Sequence, residues 1–311
     1  MNTNTIIATY LGLLHEIGRI IDSDSLKELI GDDEILNGYF HLRDMNTTGS
    51  NSLPSDSMSY LIRIADRIET QSELRLDESM ENPYGTDACA DLSMPLSSVF
   101  NIVNGGELSY YYKAKALTEK INYPSDDSAY VISKEEFSFL ADKLKKELST
   151  ITWNEKSVNA LLSVLEANLS FLPSNTIHKI TADIPLYDHS KMTAAIAACI
   201  HEYLDYYNRK DYHYEYINEE SFNSEKIFLM FSGDFSGIQS FIYNIISEGA
   251  LKSLRSRSFF LELTMEHIVD EILEAGGVTR ANLIYSGGGH CYILLPNTKQ
   301  VIERVDALLK K

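Results

Sequence analysis

The stretch Ile227-Phe228-Leu229-Met230-Phe231-Ser232-Gly233-Asp234-Phe235-Ser236-Gly237 decides how this chain is read. Five consecutive apolar residues, rich in aromatic and branched side chains, run into a glycine-bearing turn, and apolar spacing resumes from Ile238 to Ile246. That is the grammar of strand, turn, helix. Beyond it, Phe259, Phe260, Leu263, Ile268, Val269, Ile272 and Leu273 fall at helical spacing, which predicts a helix from about Ser258 to Glu274. Gly276-Gly277 supplies its stop. Asn282 to Tyr285 and Cys291 to Leu295 then flank Ser286-Gly287-Gly288-Gly289-His290, which predicts a hairpin, and Val301 to Leu309 begins another helix. The order β, α, β, β, α is a ferredoxin-like unit without its final strand.

Upstream the pattern is helical. Ile6, Ile7, Leu11, Leu14, Ile17 and Ile21 keep a period near 3.6, and a polar loop from Asp44 to Ser57 follows. A second helix is expected from about Met58 to Leu76, with a further loop through Asn82-Pro83-Tyr84-Gly85. Phe137 to Leu148, Val158 to Leu169 and Met192 to Tyr207 read as three more helices. The fold class expected is therefore α+β, helical before about residue 220 and mixed after it. At 311 residues, 44% hydrophobic, the chain is long enough for two domains. No run reaches the roughly 18 apolar residues of a membrane span, and the segment from Met1 to Tyr10 lacks the basic start of a secretory signal. Cys89, Cys199 and Cys291 are too scattered for a metal or redox pair, so a reducing, cytoplasmic setting is the expectation.

The net charge of −18 is unevenly placed. From Lys226 onward nine basic residues balance nine acidic ones, leaving 18 basic against 36 acidic residues before that point. Such a surface repels a duplex backbone, so tight direct binding of duplex nucleic acid by that part is not expected.

A nucleotidyl-transferring palm holds two Mg²⁺ ions on carboxylates at the end of its first strand and in its hairpin turn. Here the strand end offers Asp234, and the turn Ser286 to His290 offers no carboxylate. A lone Asp cannot make a two-metal site. What remains is glycine-lined backbone able to approach a phosphate or a base edge, with Lys252, Arg255 and Arg257 just downstream. Steric need alone also accounts for such glycines, and a solvated face accounts for the three cations. In the helical part, His15-Glu16 with a remote Asp66 has the pattern of a metal-dependent phosphohydrolase; a packed or surface imidazole is the competing account. Asp188-His189 reads as a helix N-cap beside a hydrogen-bonded histidine. His41, His178 and His201 complete no ligand spacing.

Taken together, Phe231 to Tyr243, Gly249 to Phe259 (Gly-Ala-Leu-Lys-Ser-Leu-Arg-Ser-Arg-Ser-Phe), Asn282 to His290 and Tyr292 to Thr298 resemble the first palm segments of the large signature subunit of type III-A CRISPR effector (Csm) complexes. Upstream, Leu186-Tyr187-Asp188-His189-Ser190-Lys191 with Thr193-Ala194-Ala195, and Pro95 to Phe100, are similar to that family as well. The resemblance covers nearly the whole chain in order. It implies a helical HD-like domain with a linker region over 1–220, and a truncated ferredoxin-like palm over 221–311. It implies an HD nuclease that cuts single-stranded DNA with a divalent metal (Mg, Mn or Ni), its ligands and catalytic groups falling on His15, Glu16 and Asp66. It further implies one ATP, held through Ser232, Gly233, Asp234, Phe235, Ser236, Gly237, Ile238 and Gln239, through Ser286, Gly287 and Gly288, and by Lys252 and Arg255. The family's catalytic Gly-Gly-Asp-Asp sequence belongs to a second palm that this chain does not contain. Cyclic oligoadenylate synthesis in antiviral defence would therefore need that second palm, from the same subunit or a split partner chain. Other Csm-type subunits with guide RNA are implied as partners, with target RNA and single-stranded DNA met indirectly.

One departure bears on the nuclease. Where the family shows His-Asp-Ile-Gly-Lys, this chain reads His15-Glu16-Ile17-Gly18-Arg19. Glu is longer by one C–C bond, roughly 1.5 Å, which displaces a ligand in a preorganised site. The family's paired histidines have only His41 as a stand-in, while Ile64-Ala65-Asp66-Arg67-Ile68 keeps the Ala-Asp element, echoed by Glu73 and Arg75. The expectation is a degenerate HD domain kept mainly as scaffold. A stand-alone metal nuclease and a non-catalytic assembly module are the alternatives.

Overall fold

Asn2 caps the first helix by accepting from the Asn4 amide, and from Thr5 to Leu14 every residue of that helix, α1 (Thr3–Leu14), is buried. The periodic face expected for it is thus a minimum: α1 is the central rod of the helical part and is packed on every side. The computed structural model describes residues 2–48, 53–73, 93–103, 105, 109–118, 120–126, 130–175, 182–243 and 250–310. Cys89, Arg75, His178, Gly249 and residues 82–85 lie outside the described residues, as does the side chain of Glu73.

Around α1 pack α2 (Ser23–Leu29), α3 (Asp33–Thr48) and α4 (Met58–Glu73). A two-stranded antiparallel ladder, β1 (Leu96–Ser97) with β2 (Tyr111–Tyr112), brackets α5 (Val99–Val103). The helical reading did not anticipate that ladder, because two-residue strands leave no period. Next come α6 (Lys134–Leu148), started by a Ser133–Glu136 capping box, and α7 (Val158–Leu169). The longest helix of this half is α8 (Leu186–Tyr206). It starts six residues before the expected Met192, with Pro185 at its N-cap, so Asp188 lies in the first turn instead of capping it. Short helices α9 (Tyr212–Ile217) and α10 (Glu219–Asn223) close the half.

The remaining elements are β3 (Phe228–Asp234), α11 (Ile238–Tyr243), α12 (Ala250–Gly276), β4 (Leu283–Gly287), β5 (His290–Pro296) and α13 (Lys299–Leu308). The long helix begins eight residues before the expected Ser258; Arg257, near its start, donates to the Phe241 carbonyl at 2.5 Å. The sheet order is β3-β5-β4, antiparallel throughout. Its hairpin turns tightly at Gly288 and Gly289, both at positive φ (61° and 85°), the two-residue turn that matches strand twist.

Leu229, Phe231, Cys291, Ile293 and Leu295 point from the sheet to one side, where they pack with Val269, Ile272, Val301 and Val305 of α12 and α13. The two cores are not sealed from one another. Ala198 of α8 belongs to the sheet's core, whereas Ala281 and Leu294 belong to the helical one. Buried Asn282 rivets the junction, donating to the carbonyls of Ala195 (3.1 Å) and Leu294 (3.0 Å). The molecule is thus α+β, and among its described residues no helix is long and apolar enough to cross a membrane.

Candidate functional site

Three helices deliver the polar cluster of the helical half. His15 follows the last turn of α1, where helix carbonyls lack intrahelical donors. Its Nδ1 lies 2.6 Å from the Gly12 carbonyl and therefore carries the proton. Asp66 comes from the middle of α4. His189 comes from the first turn of α8, and its Nδ1 makes a short hydrogen bond to Glu69 Oε2, one turn beyond Asp66 on α4. With both Nδ1 atoms so committed, the two Nε2 atoms face each other at 3.1 Å. Asp66 Oδ1 lies 3.5 Å from His15 Nε2 and 3.4 Å from His189 Nε2. Among the described residues, His15, Asp66 and His189 form the one group of three such side chains whose donor atoms fit a shared ion.

Burial opposes charge on Asp66. When the two rings are protonated on Nε2 as well as Nδ1, their hydrogen bonds and positive charge outweigh burial and hold its carboxyl well below the usual carboxylate range. Its side chain is 20% exposed against 4% for His15 and 7% for His189, so the cluster meets solvent through the carboxylate. The opening is a cleft of about 290 Å³, counting space open to solvent, with Glu16, Arg43 and Arg63 in its walls. Arg63 approaches the other oxygen of Asp66 at 3.5 Å and the Leu42 carbonyl at 3.3 Å.

Two of the three expected metal ligands, His15 and Asp66, are thus brought together. Glu16 borders the same cleft but gives its carboxylate to Arg19 at 3.0 Å, and Arg19 also donates to the Ser174 carbonyl at 2.5 Å. The third member of the cluster is His189, which sequence reasoning treated as part of a helix cap. Its signal was present: His189, Thr193, Ile196 and Ile200 lie on one buried face of α8. Glu69 was missed although it falls three residues after Asp66 and continues the line of Ile62 and Ala65, an acid on a buried face. His41 does not join the group.

The sheet offers a second surface. Cross-strand pairing sets Met230 opposite Leu294, Ser232 opposite Tyr292, and Asp234 opposite His290, with Tyr285 of β4 beside Tyr292. These residues share the face that α12 and α13 leave uncovered. Leu294, near α8, is buried, whereas Met230, Tyr285 and Tyr292 stay exposed. Asp234 and His290 pair at 3.2 Å at the open end. The Phe235 amide donates to the Gly289 carbonyl at 3.0 Å, joining the turn after β3 to the hairpin turn. A Cβ on Gly289 would stand 2.0 Å from Ile238 Cδ1, so the two turns are in contact. Ser232, Gly233 and Asp234 end β3, Phe235, Ser236 and Gly237 lead into Ile238 and Gln239 of α11, and Ser286, Gly287 and Gly288 lie at the end of β4, across β5 from β3. Lys252 and Arg255 are exposed on the first turns of α12.

Comparison with known proteins gives the following. Residues 227–311 match the family model described as Csm1 subunit domain B. The chain is 37% identical over 319 residues to the CRISPR system single-strand-specific deoxyribonuclease Cas10/Csm1 (subtype III-A) of Enterococcus italicus, covering 94% of this chain and 42% of that protein. It is 38% identical over 283 residues to the protein of the same description from Mycobacterium tuberculosis, covering 89% of this chain and 34% of that one. Among solved structures, a Csm1–Csm4 cassette in complex with pppApA superposes with a TM-score of 0.71 at 28% identity, covering 98% of this chain and 41% of that one. A Csm1–Csm4 cassette in complex with one ATP gives 0.68 at 26% identity, again over 98% and 41%. The chain therefore spans about two fifths of the length of the relatives it matches.

Proposed function

The chain belongs, over the part that it spans, with the Cas10/Csm1 proteins of subtype III-A CRISPR systems, and from that premise we propose that its helical half hydrolyses single-stranded DNA at a divalent-metal site made by His15, Asp66 and His189. The donor set carries the reading. Two imidazole nitrogens and a carboxylate oxygen converge within 3.5 Å of one another. Both imidazoles have their Nδ1 protons directed away from the centre. Arg63 reaches the outer oxygen of Asp66 and does not come between the three. Electron pairs gathered in this way suit a small cation, and the N,N,O set suits Mn²⁺, Ni²⁺ or Zn²⁺.

A divalent ion held there supplies a Lewis acid for a phosphodiester and a water of lowered pKa. The chain's own residues do the rest. Asp66 presents the site to the cleft, and Arg43 and Arg63 give its wall the positive charge a phosphate meets. Glu16, drawn onto Arg19, leaves the third donor position to His189, so the lengthened side chain at 16 no longer weighs against a working site. The first 225 residues carry 36 acidic against 18 basic side chains, an excess that disfavours a densely charged duplex. The test is cleavage of a single-stranded oligonucleotide by the purified chain with Mn²⁺. Cutting is expected for the single strand and not the duplex, and is abolished in His189→Ala. An uncut oligonucleotide, or His189→Ala cutting at the wild-type rate, ends this reading.

A second reading rests on the open face of the sheet. Ser232, Asp234 and the two touching glycine turns form a surface on which one nucleotide can lie, with backbone N–H groups for its phosphates and Lys252 and Arg255 exposed nearby in sequence. The hairpin carries no carboxylate, so reaction of that nucleotide needs acids from a partner palm. In this reading the half supplies the receiving surface of an oligoadenylate synthetase assembled with other Csm-type subunits.

A further inference from the structure

Beside the metal site, the metal reading leaves the buried acid Glu69 without a role. Glu69 is 6% exposed, in a half of the molecule whose other buried residues are overwhelmingly apolar, and its carboxylate grips His189 Nδ1. A buried carboxylate is costly unless it is paired and hydrogen-bonded, so a glutamate at this point needs a use that an apolar residue could not fill. Resting on the metal reading above, we propose that Glu69 is a positioning residue: it fixes the ring and tautomer of His189 so that Nε2 presents its lone pair beside Asp66 Oδ1, and thereby sets the cation affinity of the cleft.

Imidazole has two nitrogens, and the one that carries the proton cannot bind a cation. His15 has its choice made by the Gly12 carbonyl, a backbone group that no substitution of side chains removes. For His189 a side chain, Glu69, makes that choice. The carboxylate also does more than a carbonyl would. Its negative charge draws the Nδ1 proton toward itself and makes Nε2 the better electron-pair donor. Asp66 and Glu69 are three residues apart on α4, so one helical turn supplies both a direct donor and the group that aims its neighbour.

The test compares Mn²⁺ binding, by calorimetry, in the wild-type chain, His189→Ala, Glu69→Ala and Glu69→Gln. Removing such an orienting partner weakens metal affinity by about tenfold to a hundredfold, and that is expected for Glu69→Ala. Glu69→Gln keeps an oxygen for the Nδ1 proton and is expected to lose less than Glu69→Ala. Independently of metal, nitrogen-detected NMR of the histidine rings at pH 8 should show His189 protonated on Nδ1 in the wild-type chain and a mixture of tautomers in Glu69→Ala. Glu69→Ala binding Mn²⁺ within twofold of the wild type, or His189 found protonated on Nε2 at pH 8, overturns the proposal while the metal site stands. A wild-type chain that binds no Mn²⁺ overturns the metal reading itself, and the NMR result then reports on Glu69 alone.

Discussion

His201 shows what a fully buried titratable group does to stability. Thr5 Oγ1 donates to Glu202 Oε1 at 2.5 Å, so at its 2.8 Å contact with His201 Nδ1 it must accept. The proton of His201 is therefore on Nδ1, and its Nε2 meets no hydrogen-bond partner. Charging the ring would bury a second N–H with nothing to receive it. Burial accordingly pulls the His201 pKa down from 6.5 to about 4, against the attraction of Asp205. Between those values the unfolded chain takes up a proton that the folded chain refuses, so stability is full above about pH 6.5 and falls as the pH drops toward 4. At 1.36 kcal/mol per pKa unit this one ring contributes about 3 kcal/mol of acid sensitivity. His201→Asn, whose amide nitrogen can replace Nδ1, should lose correspondingly less stability between pH 7 and pH 4.5 in urea titrations; an equal loss in both proteins would remove His201 as the cause.

Between elements, α1 passes close against α8 at Gly12. A Cβ on Gly12 would stand 2.5 Å from Ala194 Cα and 2.8 Å from its amide nitrogen, and backbone cannot rotate away as a side chain would. Gly12→Ala should therefore destabilise the chain by about 1–3 kcal/mol through overpacking. Because His15 ends α1 and His189 starts α8, it should also weaken Mn²⁺ binding. A melting temperature within a degree of the wild type would show that the helices separate without cost. The same packing explains what could be read in advance and what could not. The hairpin was legible because its glycines and flanking apolar runs are local. His15 and Asp66 were legible as polar residues on apolar helices. His189 was not, because its neighbours in the cluster are 123 and 174 residues away, and nothing in Tyr187-Asp188-His189 says which helix will cross it. Glu16 misled for the complementary reason: a carboxylate next to a histidine in sequence is free to turn elsewhere in space, and here it turns to Arg19.

For the whole molecule, the placement of charge and the open face of the sheet bear on the same expectation. The acidic residues are concentrated before Lys226, and the segment carrying Ser232 and Asp234 is balanced, so a polyphosphate meets less repulsion there than elsewhere on the chain. Mixed with a partner palm carrying paired acids, the chain should restore oligoadenylate synthesis from ATP, and Ser232→Tyr, which fills the face, should abolish it. Product formed equally well without this chain would exclude the role. The two candidate sites are further joined by α8 itself. At 1.5 Å per residue, the residues that meet Asn282 beside the sheet, Ala195 through its carbonyl and Cys199 through its sulfur, are about 9 and 15 Å along the same unbroken rod from His189. Because that rod is one rigid helix, a substitution that displaces α8 at Asn282 is expected to alter the 3.1 Å nitrogen gap at its other end as well.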